Sequence, residues 1–218
     1  MKITKFTQSC ALIESQGKKI LIDPGNLELT EETIEKWKEP DFVFVTHKHG
    51  DHFNEEAFNK IKKDSTRIFS TQEVANARKD TTFEIVKEND IVDIKIGKVN
   101  AVKAVHGYMP FLKGGGEINE NVGYVLELEG KKLYFTSDSI CFKDPPKCDI
   151  LFVPVCNHGL VMGPFDAALF AKETEARLVI PNHFDNPRFP ADLEKVKIEF
   201  DKAGLNWRLL EIGETIEE

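Results

Sequence analysis

Apolar and polar positions change period repeatedly along this chain, and each change marks a short strand or helix. Met1 to Thr7 alternates polar and apolar residues as a first strand does. Cys10 to Glu14 and Lys18 to Asp23 read as two strands around Gln16-Gly17, where glycine supplies the positive φ of a tight turn. Thr30 stands as an N-cap before a helix over Glu31 to Lys38, with acidic residues in its first turn. The run Phe42-Val43-Phe44-Val45 has no polar face and predicts a buried strand, after which Asn54 starts another helix. Ile91 to Ile96 and Val99 to Val105 predict a hairpin around Gly97-Lys98, and Tyr124 to Leu128 pairs with Lys131 to Phe135 around Glu129-Gly130. Gly163-Pro164 opens a helix to about Lys172, and Leu178-Val179-Ile180 forms a strand ending at Pro181-Asn182-His183. Leu193, Val196 and Phe200 share one face of a helix over Ala191 to Ala203, with Gly204 just past its end. Trp207 to Ile212 predicts a last strand.

The pattern repeats weakly. Ala11 to Lys19 resembles Tyr124 to Lys132, and each copy leads to an aspartate, Asp23 or Asp138. Asp41 to Val45 resembles Asp149 to Val153, and a histidine follows each. Two related strand-and-helix halves pack naturally sheet against sheet with helices outside. The expectation is an α/β chain forming one domain over residues 1–218, a four-layer αβ/βα sandwich whose strand ends meet along one edge. Chance likeness between two common hairpin patterns is the alternative.

Composition narrows the function. With 41% hydrophobic residues and 16 Phe, the chain carries enough apolar material for a sizeable core. The longest apolar stretches, such as Ile150 to Val155, fall far short of the roughly 20 residues that span a bilayer, so no membrane segment is expected. The amino terminus lacks the apolar run of a signal peptide, and Cys10, Cys141, Cys148 and Cys156 form no C-x-x-C pair, so a cytoplasmic protein with reduced thiols is expected. Cys156 precedes His158 by two residues, and the reading is a small buried apolar side chain rather than a ligand. A net charge of -8 opposes binding to nucleic acid, whose affinity rests on Lys and Arg neutralising phosphates.

The chemistry concentrates at Thr46-His47-Lys48-His49-Gly50-Asp51-His52-Phe53. His47 and His49, two apart in an extended segment, project to one side and reach one cation. After the bend that Gly50 permits, Asp51 and His52 face a second position. A surface loop with accidental histidines is the bland alternative, but three of the chain's six histidines crowd this run directly after a buried strand. Imidazole donors suit Zn²⁺, whereas an all-oxygen site suggests Mg²⁺ or Ca²⁺. His106, Asp138 and His183 each follow an apolar strand segment and would complete the two positions if the strand ends converge. Two cations sharing a water lower its pKa and polarise a carbonyl or phosphoryl oxygen, which is hydrolysis without a protein nucleophile.

Thr46 to Phe53 resembles the H-x-H-x-D-H signature of the metallo-β-lactamase superfamily. Leu21-Ile22-Asp23-Pro24, Phe135-Thr136-Ser137-Asp138 and Val179 to Phe184 are similar to three further strands of that family. Asn157 to Pro164 is similar to a histidine segment of the branch that includes ascorbate-phosphate lactonase. The resemblance implies His47, His49 and His106 on one metal and Asp51, His52 and His183 on the other, with Asp138 bridging. It implies two divalent ions, zinc first and manganese as the alternative. Asp23 would orient a ligand histidine, Asp51 would also be catalytic, and His158 would bind substrate or protonate a leaving group. Diiron relatives carry an acid where His49 stands, which disfavours a redox role. Gln8-Ser9-Cys10 stands where this branch often has a histidine before the serine, and Ser137 replaces a usual glycine.

The expectation is therefore a hydrolase of a small-molecule ester, lactone or phosphate ester. A phosphodiesterase acting on nucleic acid or phospholipid and a non-catalytic metal-binding protein are the alternatives. The glycine-rich stretch from Met109 through Gly114-Gly115-Gly116 to Glu117 reads as a lid or as a plain connection.

Overall fold

A computed structural model describes residues 1–27, 29–110 and 116–218. Strands β1 (Lys2–Lys5), β2 (Ala11–Ser15) and β3 (Lys18–Ile22) form an antiparallel meander. Helix α1 (Glu31–Trp37) leads to β4 (Phe42–Phe44), α2 (Glu55–Ile61) to β5 (Arg67–Ser70), and α3 (Gln72–Ala77) to β6 (Glu84–Ile85). The second half holds β7 (Ile91–Asp93), β8 (Gly97–Lys103), β9 (Val122–Leu128), β10 (Lys131–Phe135) and β11 (Ile150–Pro154). It continues with α4 (Pro164–Thr174), β12 (Leu178–Asn182), α5 (Leu193–Lys202) and β13 (Thr215–Glu217).

One sheet has the order β13-β1-β2-β3-β4-β5-β6 and the other β12-β11-β10-β9-β8-β7. In each, an antiparallel hairpin passes to parallel strands: β3, β4 and β5 in the first, β10, β11 and β12 in the second. The repeat seen in the sequence is thus a repeat of topology.

Strand parity explains the four layers. Ile20, Ile22, Phe42 and Phe44 point between the sheets, where they meet Tyr124, Leu126, Phe135 and Phe152. The alternate residues Leu21, Val43 and Val45 face α1 and α2 on one outside, while Leu151 and Val153 face α4 and α5 on the other. Thr30 and Asn54 cap their helices as the sequence suggests, and Asp192 caps α5, each side chain accepting an N–H of the first turn.

Two expectations need correction. The hairpin before β8 turns at Lys95-Ile96, with Ile94 N donating to Gly97 O, and Gly97 lies inside β8. Glycine is required there by close approach, since a Cβ would sit 2.1 Å from Glu127 O. Trp207 to Ile212 is no strand: after one bridge from Trp207 to Val179 the chain leaves the sheet, and the final strand is β13, paired with β1.

Candidate metal centre

β1, β3 and β4 run in one direction within their sheet, as do β8, β10, β11 and β12 within theirs, and residues that follow the carboxyl ends of both sets meet at one edge of the sandwich. Each delivers polar side chains there: Gln8 after β1, Asp23 after β3, His47 after β4, His106 after β8, Asp138 after β10, Cys156 after β11 and His183 after β12. Gln8, Asp23, Ser137 and His183 turn through left-handed φ values of 54°, 44°, 63° and 59°. Such conformations cost of order 1–3 kcal/mol outside glycine and persist only where surrounding contacts hold them.

Donor atoms of His47, His49, His106 and Asp138 form one group, and those of Asp51, His52 and His183 form another, each within 4.8 Å of one another. Asp138 joins the two. Its Oδ1 is 3.2 Å from His52 Nε2, while its Oδ2 is 3.1 Å from His183 Nε2 and 3.9 Å from His106 Nε2.

The outward contacts fix which nitrogens face inward. His52 Nδ1 donates to Asp23 Oδ2 at 2.8 Å, His106 Nδ1 to Gly107 O at 2.7 Å, and His49 Nε2 to Gly116 O at 3.0 Å. Thr46 Oγ1 gives its proton to Asp23 Oδ2 at 2.9 Å and so accepts from His47 Nδ1 at 3.0 Å. In their neutral forms the opposite nitrogens are bare lone pairs. His47 Nε2 and His49 Nδ1 then confront each other at 3.1 Å, and His52 Nε2, His106 Nε2 and Asp138 Oδ1 are buried without a hydrogen-bond partner among the described residues. Buried polar atoms are rarely left so, and a set of lone pairs aimed at common points fits divalent cations.

Electrostatics agree. Burial and the charge on His52 push the His47 pKa well down, and burial does the same to His106, so both stay neutral donors. For Asp51 and Asp138 burial alone would raise the carboxyl, but His183 and His52 outweigh it and hold both below the ordinary carboxylate range. Burial opposes charge on His52 and His183 as well, yet Asp138, with Asp23 or Asp51, raises both well above the ordinary histidine value. Without cations, protons on these two rings balance the carboxylates.

All seven residues expected as ligands therefore come together, and Asp23 accepts from the outward nitrogen of His52. His158 lies beside them with its ring 6.0 Å from that of His183, and Leu160 N donates to its Nδ1 at 3.1 Å. Cys156 is buried as expected, but its sulfur also belongs to a cluster with His158 and His183. Burial raises its thiol pKa, but His158 and His183 overcome this and bring it to about 6. Residues 111–115 of the expected lid lie outside the described residues; Gly116, just beyond, accepts from His49. Gln8 enters the site unforeseen: its Nε2 donates to Asp51 Oδ2 at 2.9 Å and lies 3.1 Å from His183 Nε2. Its only sequence signal was a departure from a family pattern.

A family model for the beta-lactamase superfamily domain matches residues 2–183. A metal-dependent hydrolase of Listeria welshimeri is 30% identical over 232 residues, covering 100% of both chains. A provisionally assigned metal-dependent hydrolase from Parabacteroides distasonis superposes with a TM-score of 0.82 at 22% identity, covering 96% of this chain and 92% of that one. A metallo hydrolase from the hyperthermophilic archaeon Ignicoccus hospitalis gives 0.78 at 24% identity, covering 99% and 97%. The two structures speak to the fold, whereas the family match and the full-length relative speak to descent: the chain belongs to the beta-lactamase superfamily, as one of its metal-dependent hydrolases.

Proposed function

We propose that the chain uses two divalent cations, zinc before manganese, to hydrolyse a small-molecule ester, lactone or phosphate ester. His47, His49 and His106 would hold one cation, Asp51, His52 and His183 the other, with Asp138 shared. The observation that carries this reading is Asp138, whose two oxygens stand between two groups of inward-facing nitrogens. Bound cations of this kind lower the pKa of coordinated water and polarise a substrate oxygen.

The chain's own groups supply the rest. Asp23, through Thr46 and directly, fixes the rings of His47 and His52 so that their lone pairs converge. Asp51 stays ionised, and its Oδ2 accepts from the Gln8 amide. Because Leu160 N occupies His158 Nδ1, the neutral ring carries its proton on Nε2, where it can serve a leaving group.

The small-molecule class is supported by a cavity of about 500 Å³ beside His106, lined among others by Val86, Val105, Ile118, Asn119 and Asn121. The four cysteines are free thiols, which suits work in the reducing cytoplasm. Among the described residues no helix is long and apolar enough to cross a membrane.

The test is a screen of metal-loaded protein against lactones, carboxylic esters, phosphomonoesters and phosphodiesters, with Asp51→Ala as control. Turnover of one small-molecule class that Asp51→Ala abolishes while keeping its fold supports the reading. Undiminished turnover in that variant refutes it.

A further inference from the structure

We propose that Gln8 is a metal ligand, binding through its side-chain carboxamide oxygen at the position assigned to Asp51, His52 and His183. The inference rests on the two-cation reading above. Gln8 is wholly buried, and the end of its amide stands 2.9 Å from Asp51 Oδ2 and 3.1 Å from His183 Nε2. Asp138 keeps nearly the same spacing from its neighbours, 3.1 Å from His183 Nε2 and 3.2 Å from His52 Nε2. Donor atoms each about 2.1 Å from one cation lie roughly 3.0–3.4 Å apart. The Gln8 amide end is therefore spaced as one more corner of the same coordination polyhedron.

An amide nitrogen has no free lone pair for a cation, whereas the amide oxygen has two. Without metal, the NH₂ end faces the site because Asp51 Oδ2 offers it an acceptor. A cation takes the Asp51 lone pair that faces it, so the NH₂ group loses that partner. A half-turn about the Cγ–Cδ bond then brings in Oε1, which in the present orientation is buried with no hydrogen-bond partner among the described residues. The two ends of a carboxamide are close in size, so the exchange needs no repacking.

The backbone is built to hold Gln8 there. Its N–H donates to Asp185 Oδ1 at 2.7 Å, and its carbonyl accepts from His183 N at 3.2 Å. The other oxygen of Asp185 binds the buried Lys5 Nζ at 2.7 Å, which also donates to Phe6 O at 2.8 Å. This clamp ties Gln8 to the strand exit that carries His183 and keeps it in its left-handed φ of 54°. The two metal positions then differ in kind. His47, His49 and His106 give one a nitrogen-rich shell, while Gln8, Asp51 and Asp138 give the other an oxygen-rich shell that accepts Mn²⁺ more readily.

The test is calorimetric titration of the metal-free chain with Zn²⁺ and with Mn²⁺, for wild type, Gln8→Leu and Gln8→Glu. Two equivalents are expected in the wild type. Gln8→Leu should weaken one of them about tenfold or more and leave the other unchanged, while Gln8→Glu, which keeps an oxygen, should hold or tighten it. Unchanged affinity in Gln8→Leu overturns the ligand assignment. So does a Gln8→Glu protein weakened as much as Gln8→Leu, because the amide would then act only by donating to Asp51. Should Gln8→Leu fail to fold, Gln8→Glu decides alone: affinity held or tightened supports the assignment, and affinity weakened about tenfold or more overturns it. Fewer than two equivalents in the wild type would instead overturn the underlying two-cation reading.

Discussion

At the residue scale, Asp23 shows how a buried carboxylate fixes the side chains around it. Its oxygens accept from Thr46 N at 2.8 Å, Thr46 Oγ1 at 2.9 Å and His52 Nδ1 at 2.8 Å. Burial raises its pKa, and the His52 charge and the Thr46 donors offset only part of that. Asp23→Asn keeps the shape but turns an NH₂ group toward one of these donors. The expected outcome is a 10–100-fold loss of metal affinity and destabilisation on the order of 2 kcal/mol, read by metal titration and urea unfolding. Ser137 is the opposite case. Its φ of 63° is one that glycine adopts freely, and its hydroxyl returns something for the strain by donating to Asn121 Oδ1 at 2.6 Å. Ser137→Gly trades one effect for the other, so its stability should stay within about 1 kcal/mol of wild type with both metals still bound; loss of a metal equivalent would show that the hydroxyl positions His47. The candidate ligands were legible because histidines and aspartates gathered at strand exits are chemically specific. Gln8 was not, because a glutamine carries no such signal until its backbone turn is known.

At the element scale, the strongly patterned segments were readable and the weakly patterned ones were not. β2, β3, β4, β9 and β10 announce themselves by apolar runs and by Gly17 and Gly130 in tight turns. β5 was missed because Ile68 and Phe69 are only two apolar residues between polar ones, and β6 because both its residues are exposed. β13 exists only through pairing with β1 at the far end of the chain, a contact no local pattern encodes. Asp41, at the entry to β4, links elements in a way that can be measured. It accepts from Lys63 Nζ at 2.9 Å, Lys19 N at 3.0 Å and Lys18 Nζ at 3.0 Å. Burial would raise its carboxyl, but these contacts outweigh it and bring it down to about 2. A depressed carboxylate contributes stability above its unfolded pKa of about 3.9, and that stability is lost as pH falls through about 2. Asp41→Asn should therefore cost on the order of 1 kcal/mol at neutral pH, partly screened by solvent, and only a small fraction of that near pH 2. Denaturant titrations at both values check this, and an equal cost at both would show that shape rather than charge matters.

At the scale of the whole molecule, the candidate centre draws on both halves of the repeat. His47, His49, Asp51 and His52 come from the first sheet, and His106, Asp138 and His183 from the second. Cations bound there would tie the sheets together at the open edge. Their contribution to stability grows with free metal, reaching about 4 kcal/mol at a thousandfold excess over Kd. It must also depend on pH. In the metal-free chain, burial opposes charge on His52 and His183, but the facing carboxylates win and raise both pKa values well above the usual one. A histidine whose folded pKa is raised contributes stability fully present below its unfolded value of about 6.5 and lost as pH rises through the folded value. The metal-free chain should therefore weaken toward alkaline pH. Binding of cations displaces those two protons, so the loaded chain escapes that loss and binds more tightly as protons become scarcer. The gap in Tm between zinc-loaded and chelated protein is expected to widen from about pH 6 to about pH 9, with protons released on binding in calorimetry run in buffers of different ionisation enthalpy. A gap that narrows over that range, or binding without proton release, would mean that His52 and His183 are already neutral and that Asp138 is balanced by some other charge.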